Sequence, residues 1–351
     1  MLSDDPDIPR PANPTLAWVD VGLELIDQTL LPQEDVVVRC TSVEQVVDAI
    51  KRLAVRGAPA IGVAGAYGVA LAAIANDPVT APGEFATDVE RLATVRPTAV
   101  NLDRMVRRVA AESTSAAAAL EAAHRVRSEE LAASTAMGDI GADLLLELCG
   151  DRPLRVMTIC NTGGLAAVER GTALAVIQTL HERGRLEEAI PLETRPLLQG
   201  GRLTTWELAR MGAPHRLIVD SAAASLLARG FADVVVAGAD RVAANGDTAN
   251  KVGTFSLALA ARHAGVPFVI VAPESTIDTT TATGDDIEIE DRGADEVVAI
   301  RGMALCPPGT RAINPAFDVT PVEFIDALVT DKRVVRFGTG QTVGELSTVT
   351  S

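Results

Sequence analysis

Aromatic side chains are scarce: seven Phe, two Trp and one Tyr are only 3% of 351 residues. Binding of single-stranded nucleic acid commonly stacks bases on aromatic rings, and this chain is poorly supplied for it. Basic charge is in deficit as well. Against 47 Asp and Glu stand 31 Lys and Arg, a formal net charge of −16, so a phosphate backbone would be repelled and nucleic acid is excluded as a general partner. The four cysteines, Cys40, Cys149, Cys160 and Cys306, form no Cys-x-x-Cys pair and read as free thiols of a reducing compartment. The four histidines, at 124, 181, 215 and 263, make no His-x-x-x-His cluster. Metal catalysis and a serine triad are therefore poorly supported. No Walker-type lysine loop occurs, and GTGQTVG (338–344) lacks the spacing and following helix of a dinucleotide fingerprint. The opening MLSDDPDI carries three aspartates and no basic residue, unlike a secretory leader, so a cytoplasmic protein is expected.

What is abundant is small and aliphatic. Hydrophobic residues make up 48% of the chain, so the core must be built from Ala, Val, Leu and Ile. Between Arg56 and Asp77 lie twenty uncharged residues, GAPAIGVAGAYGVALAAIAN, long enough to cross a bilayer. Ala and Gly dominate this run, Pro59 interrupts it and no basic cluster flanks it. It reads as a buried helix packed closely through small residues, and no membrane association is expected.

The pattern changes near residue 150. Before it, apolar residues recur at helical spacing in 42–55 and 101–150, while LAWVDVGLELID and DVVVRC have the alternation of two or three strands. After it, short continuous apolar runs alternate with helical segments: LRVMTI then AAVERGTALAVIQTL, HRLIVD then SAAASLLARG, ADVVVAGAD then a helix from about Asn250, and finally PFVIVAP. Such runs are strands buried on both faces of a parallel sheet with right-handed crossovers. The expectation is an α/β protein with a doubly wound second half. Ligands bind beyond the carboxyl ends of such strands, which directs attention to Cys160-Asn161-Thr162-Gly163-Gly164, to Asp220, and to Gly238-Ala239-Asp240-Arg241.

Several residues there have chemistry to offer. Cys160 ends a strand just before two glycines, where amides at a helix start can bind an anion; a buried structural thiol is the plainer alternative. Asp240 is a general acid or base if partial burial raises its proton affinity, or else a cap or loop salt bridge. Lys251 is one of only three lysines, and a cation at a helix start opposes the dipole unless an anion is bound. Arg56 and Arg96 lie in apolar or tight settings, and Gln199 lies where ETRPLLQGGRL breaks into a Gly-Gly turn. Taken singly, these last three also fit surface charges and a turn amide. The stretch 278–296 reads as a surface loop with a solvated acidic face.

Together these segments resemble the methylthioribose-1-phosphate isomerase family, relatives of the regulatory subunits of the translation initiation factor 2B exchange complex. The resemblance is carried by VRGAPAIGVAGAYGVALA (55–72), VRPTAVNL (95–102), ICNTGGLA (159–166), ETRPLLQGGRLTTWEL (193–208), GADRVAANGDTANKVGT (238–254), APESTID (272–278) and NPAFDVTP (314–321). It implies a smaller, mainly helical N-terminal domain with a short sheet (1–130), a Rossmann-like catalytic domain (131–351), and a homodimer. It also implies conversion of 5-methylthioribose 1-phosphate to 5-methylthioribulose 1-phosphate in methionine salvage, with no cofactor and no metal. By motif position the catalytic residues fall on Cys160 and Asp240. Substrate contacts fall on Arg56, Gly57, Ala58, Arg96, Gln199, Asn250 and Lys251, with the cations expected to gather at one cleft. Gly164 and Ala222 stand where the family commonly has Ala and Met, which leaves 5-deoxyribose 1-phosphate and ribose 1,5-bisphosphate as alternative substrates. A non-catalytic regulatory subunit is the alternative from another class; a nicotinamide-dependent oxidoreductase rests on fold class alone.

Overall fold

The computed structural model describes residues 15–96 and 100–344. The opening MLSDDPDI and residues 97–99 of the VRPTAVNL string lie outside the described residues. The chain divides into two compact units, one of Met1–Thr29 with Asp35–Arg127, the other of Leu30–Glu34 with Ser128–Ser351.

In the first unit β1 (Leu16–Val19), β2 (Gly22–Ile26) and β3 (Val37–Cys40) form an antiparallel sheet in that order. Helices α1 (Val43–Lys51), α2 (Ala58–Ala75), α3 (Pro82–Ala93) and α4 (Val100–Glu112) follow. Helix α2 is the long uncharged run, and it is a core helix: 78% of it is buried. Its glycines bring neighbours to backbone distance. A Cβ on Gly62 would stand 2.7 Å from Asn101 Nδ2, on Gly65 2.5 Å from Leu102 Cδ1, and on Gly68 2.7 Å from Leu92 Cδ2. The one tyrosine, Tyr67, is buried on this helix, stacked on Trp18 and bonded through its hydroxyl to His124 Nδ1 at 2.9 Å. Burial pushes the Tyr67 hydroxyl up to about 12.

The long α5 (Ala116–Cys149) leads into the second unit. There the elements are β4 (Leu154–Thr158), α6 (Ala173–Glu182), β5 (Leu186–Pro191), α7 (Thr205–Met211), α8 (Ala223–Ala228), β6 (Val234–Ala237), β7 (Arg241–Ala243), β8 (Thr248–Lys251), α9 (Thr254–Ala264) and β9 (Phe268–Val271). The last part contributes β10 (Ile277–Asp278), α10 (Asp295–Val298), β11 (Ala299–Ile300), β12 (Met303–Ala304), β13 (Phe317–Thr320), β14 (Ala327–Val329) and β15 (Val334–Arg336). The main sheet runs β15-β14-β9-β6-β4-β5 and is parallel except for β15. Its continuous Val and Ile runs are buried on both faces. Met137, Leu145, Val176 and Leu208 pack on one side; Leu227, Leu257 and Ala261 pack on the other. This is the expected doubly wound α/β architecture.

From β4 the chain passes outward to β5, then returns to place β6 on the other side of β4. The strand order therefore reverses between β4 and β6, the place where such sheets open a crevice for ligands. A second sheet, β10-β7-β8-β13, is built from the segment that follows β6 and from later chain.

Three local expectations are corrected. Asn250 and Lys251 do not open a helix: they end β8, paired antiparallel with β7 across the Asn245-Gly246-Asp247 turn, and α9 starts at Thr254. The helix read over AAVERGTALAVIQTL begins only at Ala173, after a single 3-10 turn at Gly164–Ala166. HRLIVD is not a strand of the main sheet, since it pairs with β5 and the residue after it through the isolated bridges Ala189–His215 and Leu192–Ile218 and not as a ladder.

Candidate active site

Two residues beyond β4 the chain turns sharply at Cys160, whose φ of +65° lies in the left-handed region that non-glycine residues rarely adopt. The turn is held from both ends of the residue. The Cys160 N–H donates to Thr194 Oγ1 at 2.8 Å, and the Cys160 carbonyl accepts from Thr204 Oγ1 at 2.6 Å. The residue is 6% exposed.

The next residues are tied to a buried carboxylate. Asn161 Nδ2 donates to Glu207 Oε1 at 2.6 Å, and the Leu165 N–H donates to Glu207 Oε2 at 3.3 Å. Gly163 is required by this packing, since a Cβ there would lie 2.5 Å from each Glu207 oxygen and 2.4 Å from Leu174 Cδ2. The expected anion cradle in the NTGG segment is therefore corrected. Gly163 makes room for the Glu207 side chain and Gly164 for the Glu169 backbone, and the amides of Leu165, Thr172 and Leu174 already donate to Glu207, to the Thr162 carbonyl and to Thr162 Oγ1.

Asp240 follows the adjacent strand β6, and its N–H donates to the Ala249 carbonyl at 2.9 Å. That bond places it across the hairpin from Asn250. Asp240 is exposed, so the partial burial on which its reading as an acid or base is conditioned is not present. Asn250 is 4% exposed and donates Nδ2 to Thr254 Oγ1 at 3.0 Å. Gly253, three residues on, sits over Ile159, with a Cβ there 3.1 Å from Ile159 Cδ1. The turns after β4 and β6 and the end of β8 thus meet at the carboxyl edge of the sheet. Gln199 joins them through the Thr194–Leu198 segment that holds Cys160. It is 4% exposed, and its Oε1 is buried without a hydrogen-bond partner among the described residues.

Lys251 is placed differently from the expectation. On a strand its side chain points to the face opposite Asn250; its Nζ donates to the Ala316 carbonyl at 2.6 Å and lies 4.9 Å from the centre of the Phe317 ring. The helix start behind it is served by the chain's own carboxylate. Asp318 accepts from the N–H groups of Gly253 at 2.7 Å and Phe255 at 3.1 Å, so the dipole there does not call for an external anion. Burial raises the Asp318 carboxyl above its ordinary value, against these hydrogen bonds and the Lys251 charge.

Arg56, Gly57, Ala58 and Arg96 belong to the first unit. Gly57 occupies the N-cap position of α2 at φ +91°, which only glycine adopts without strain. Half-buried Arg56 precedes it, and the Ala58 carbonyl accepts from Asn101 Nδ2 at 2.8 Å. Arg96, also half-buried, follows α3. Sequence reasoning missed Thr194, Thr204 and Glu207. The one signal was a lone Glu inside the otherwise uncharged LTTWEL. Among the described residues no group of three or more His, Cys, Asp or Glu is arranged to hold a metal ion.

The model of the initiation factor 2 subunit family matches residues 54–336. A methylthioribose-1-phosphate isomerase of Pelotomaculum thermopropionicum is 46% identical over 92% of this chain and 91% of its own. The chain belongs to this family, among its methylthioribose-1-phosphate isomerases. A probable bifunctional methylthioribose-1-phosphate isomerase/methylthioribulose-1-phosphate dehydratase of Nocardia farcinica is 50% identical over 92% of this chain, which spans 59% of that longer relative. The crystal structure of the 5-methylthioribose 1-phosphate isomerase of Pyrococcus horikoshii covers 92% of both chains at 38% identity, with a TM-score of 0.86. The family's fold also serves a protein described as subunit delta of translation initiation factor eIF-2B from A. fulgidus, 39% identical over 92% of this chain and 96% of its own, TM-score 0.82. The fold alone thus does not separate the two classes, and the residues of the site must.

Proposed function

We propose that this chain is an aldose–ketose isomerase that converts 5-methylthioribose 1-phosphate to 5-methylthioribulose 1-phosphate, with Cys160 and Asp240 as its catalytic residues. The observation that carries this reading is their placement: a strained, doubly anchored Cys160 and an exposed Asp240 at the carboxyl ends of the adjacent strands β4 and β6. A subunit that only docks on partners needs neither.

The chemistry makes modest demands. Phosphate on the anomeric oxygen blocks ring opening as a simple hemiacetal, so the bond from C1 to the ring oxygen must break as that oxygen gains a proton. Hydrogen passes from C2 to C1, the C2 hydroxyl loses its proton, and the C2 ketone forms with the phosphate still on C1. Asp240 supplies the proton transfer at the ring oxygen. The Cys160 turn serves the C2-to-C1 transfer, as a base or by lining the site. Gln199 Oε1, buried without a donor among the described residues, suits a sugar hydroxyl, because an unpaired buried acceptor is costly until a donor reaches it. Arg56, Gly57, Ala58, Arg96, Asn250 and Lys251 complete the substrate contacts in this reading, and the reaction proceeds with no cofactor. The substrate's 5-substituent is the finer question, since a Moorella thermoacetica relative, 46% identical over 92% of this chain, is named a 5-deoxyribose 1-phosphate isomerase.

The chain acts in the cytoplasm as a homodimer in this proposal. The test is turnover by the purified chain, without added cofactor, of 5-methylthioribose 1-phosphate beside 5-deoxyribose 1-phosphate and ribose 1,5-bisphosphate. Preference for the first supports the reading, and preference for the bisphosphate overturns the substrate. Cys160→Ser and Asp240→Asn should each abolish activity with the fold intact; full activity in either removes that residue's role.

A further inference from the structure

Thr194 is held in a conformation that a β-branched residue almost never adopts. Its φ is +65°, it is wholly buried, and β-branching makes the left-handed region a genuine outlier. Glycine would relieve that strain, so the side chain has to contribute something in exchange. Its Oγ1 donates to the Leu192 carbonyl at 3.0 Å, which leaves an oxygen lone pair oriented to accept the Cys160 N–H at 2.8 Å. The backbone of Thr194 is gripped in turn. Asp220 accepts the N–H of Thr194 on Oδ1 and that of Arg195 on Oδ2, each at 2.7 Å. Two left-handed residues from separate segments are thus locked to each other, and a carboxylate holds the outer one.

We infer that Thr194, fixed by Asp220, is a positioning residue for catalysis: its hydroxyl sets the left-handed turn at Cys160 and thereby the direction of the thiol. The inference rests on the proposed role of Cys160. Thr194→Val keeps the shape but removes the acceptor, leaving the Cys160 N–H buried and unpaired, so the turn relaxes. Thr194→Ser keeps the hydroxyl and lessens the crowding at Cβ. Asp220→Asn leaves one of the two backbone N–H groups facing an amide donor, and tests the same linkage from a half-buried position if the valine variant does not fold.

Two readouts decide it. In steady-state kinetics Thr194→Val lowers kcat about 10-fold or more with KM within about threefold, Thr194→Ser returns kcat to within about threefold of the parent, and Asp220→Asn falls between. In native protein treated with iodoacetamide, with each thiol followed by mass spectrometry, the Cys160 rate changes in the valine and asparagine variants and reverts in the serine variant. Cys40 serves as the internal reference, because burial pushes its thiol up to about 11. Folded Thr194→Val with the parent's kcat and Cys160 alkylation rate overturns the inference, and so does equal loss in the valine and serine variants, which would make the role one of bulk. Should the parent turn over none of the sugar phosphates, the proposed function fails, and the alkylation series alone still decides whether Thr194 sets Cys160.

Discussion

Asn161 Nδ2 and Glu207 Oε1 lie 2.6 Å apart, and both side chains are buried. The pair ties the turn after β4 to the first residues of α7, and the same carboxylate takes the Leu165 N–H. Removing it leaves two buried donors without this acceptor, so Glu207→Ala should cost about 1–3 kcal/mol of stability. Activity should fall further than the stability loss explains, because the freed turn carries Cys160. Urea unfolding and kcat/KM, measured on the same preparation at a temperature where the variant is fully folded, separate the two effects. Parent-like kcat/KM would show that the turn does not need this anchor.

Gly200 is the tightest point near the site. A Cβ there would lie 1.7 Å from the Leu192 carbonyl oxygen, so Gly200→Ala must push β5's exit away from the segment that bears Gln199. The expected cost is about 3 kcal/mol, the upper end for overpacking, and KM should rise because Gln199 moves. Gly201 is the control. The nearest atom to a Cβ there is 3.8 Å away, so Gly201→Ala should leave the melting temperature unchanged or slightly raised.

The parts of the fold that were legible are those where one physical signal dominates. Val234–Ala237 and Phe268–Val271 are unbroken apolar strands because the sheet buries both their faces, and the Gly-Ala run of α2 declared its close packing. The hairpin β7–β8 was not legible. Its strands, RVA and TANK, are only three and four residues long and include Arg241, Thr248, Asn250 and Lys251, so they lack both length and a continuous apolar run. LEEAIP was missed for a related reason: β5 lies at the sheet edge and carries two charges, an exposed Glu187 and a Glu188 paired with Arg216. At the site, the residues bearing reactive groups could be picked out, whereas Thr194, Thr204 and Glu207 could not. Their value comes from hydrogen bonds to residues more than 30 positions away, and spacing along the chain carries no trace of such contacts.

Asp233 predicts an acid limit to stability. Burial pushes its carboxyl up, but hydrogen bonds from Arg155 and Arg152 outweigh that and hold it well below the ordinary carboxylate range. The side chain is 9% exposed, and it accepts from the Arg155 N–H at 2.8 Å and from Nη2 of both Arg155 and Arg152 at 2.8 Å. A depressed folded value gives stability that is present above the unfolded pKa of about 3.9 and lost as pH falls through the folded one. Asp233→Asn should therefore lower stability at pH 7 by about 2 kcal/mol. The gap between parent and variant should close as pH drops below about 4. A gap that stays constant from pH 7 to pH 3 would show that charge plays no part.

Helix α2 offers the last test, because its length and hydropathy alone would let it cross a membrane. If its glycines serve core packing, the response to a methyl group must follow the local gap. At Gly65 a Cβ would stand 2.5 Å from Leu102 Cδ1 and 2.7 Å from Val106 Cγ2. Both are branched side chains already packed in the core, so neither can move aside without displacing its own neighbours. Gly65→Ala should cost about 1–3 kcal/mol despite alanine's better helix propensity. Gly65→Ala combined with Val106→Ala, which removes one of the two opposing groups, should cost less than the sum of the two single changes. Additive losses in that cycle would mean that α2 and α4 do not meet at this glycine.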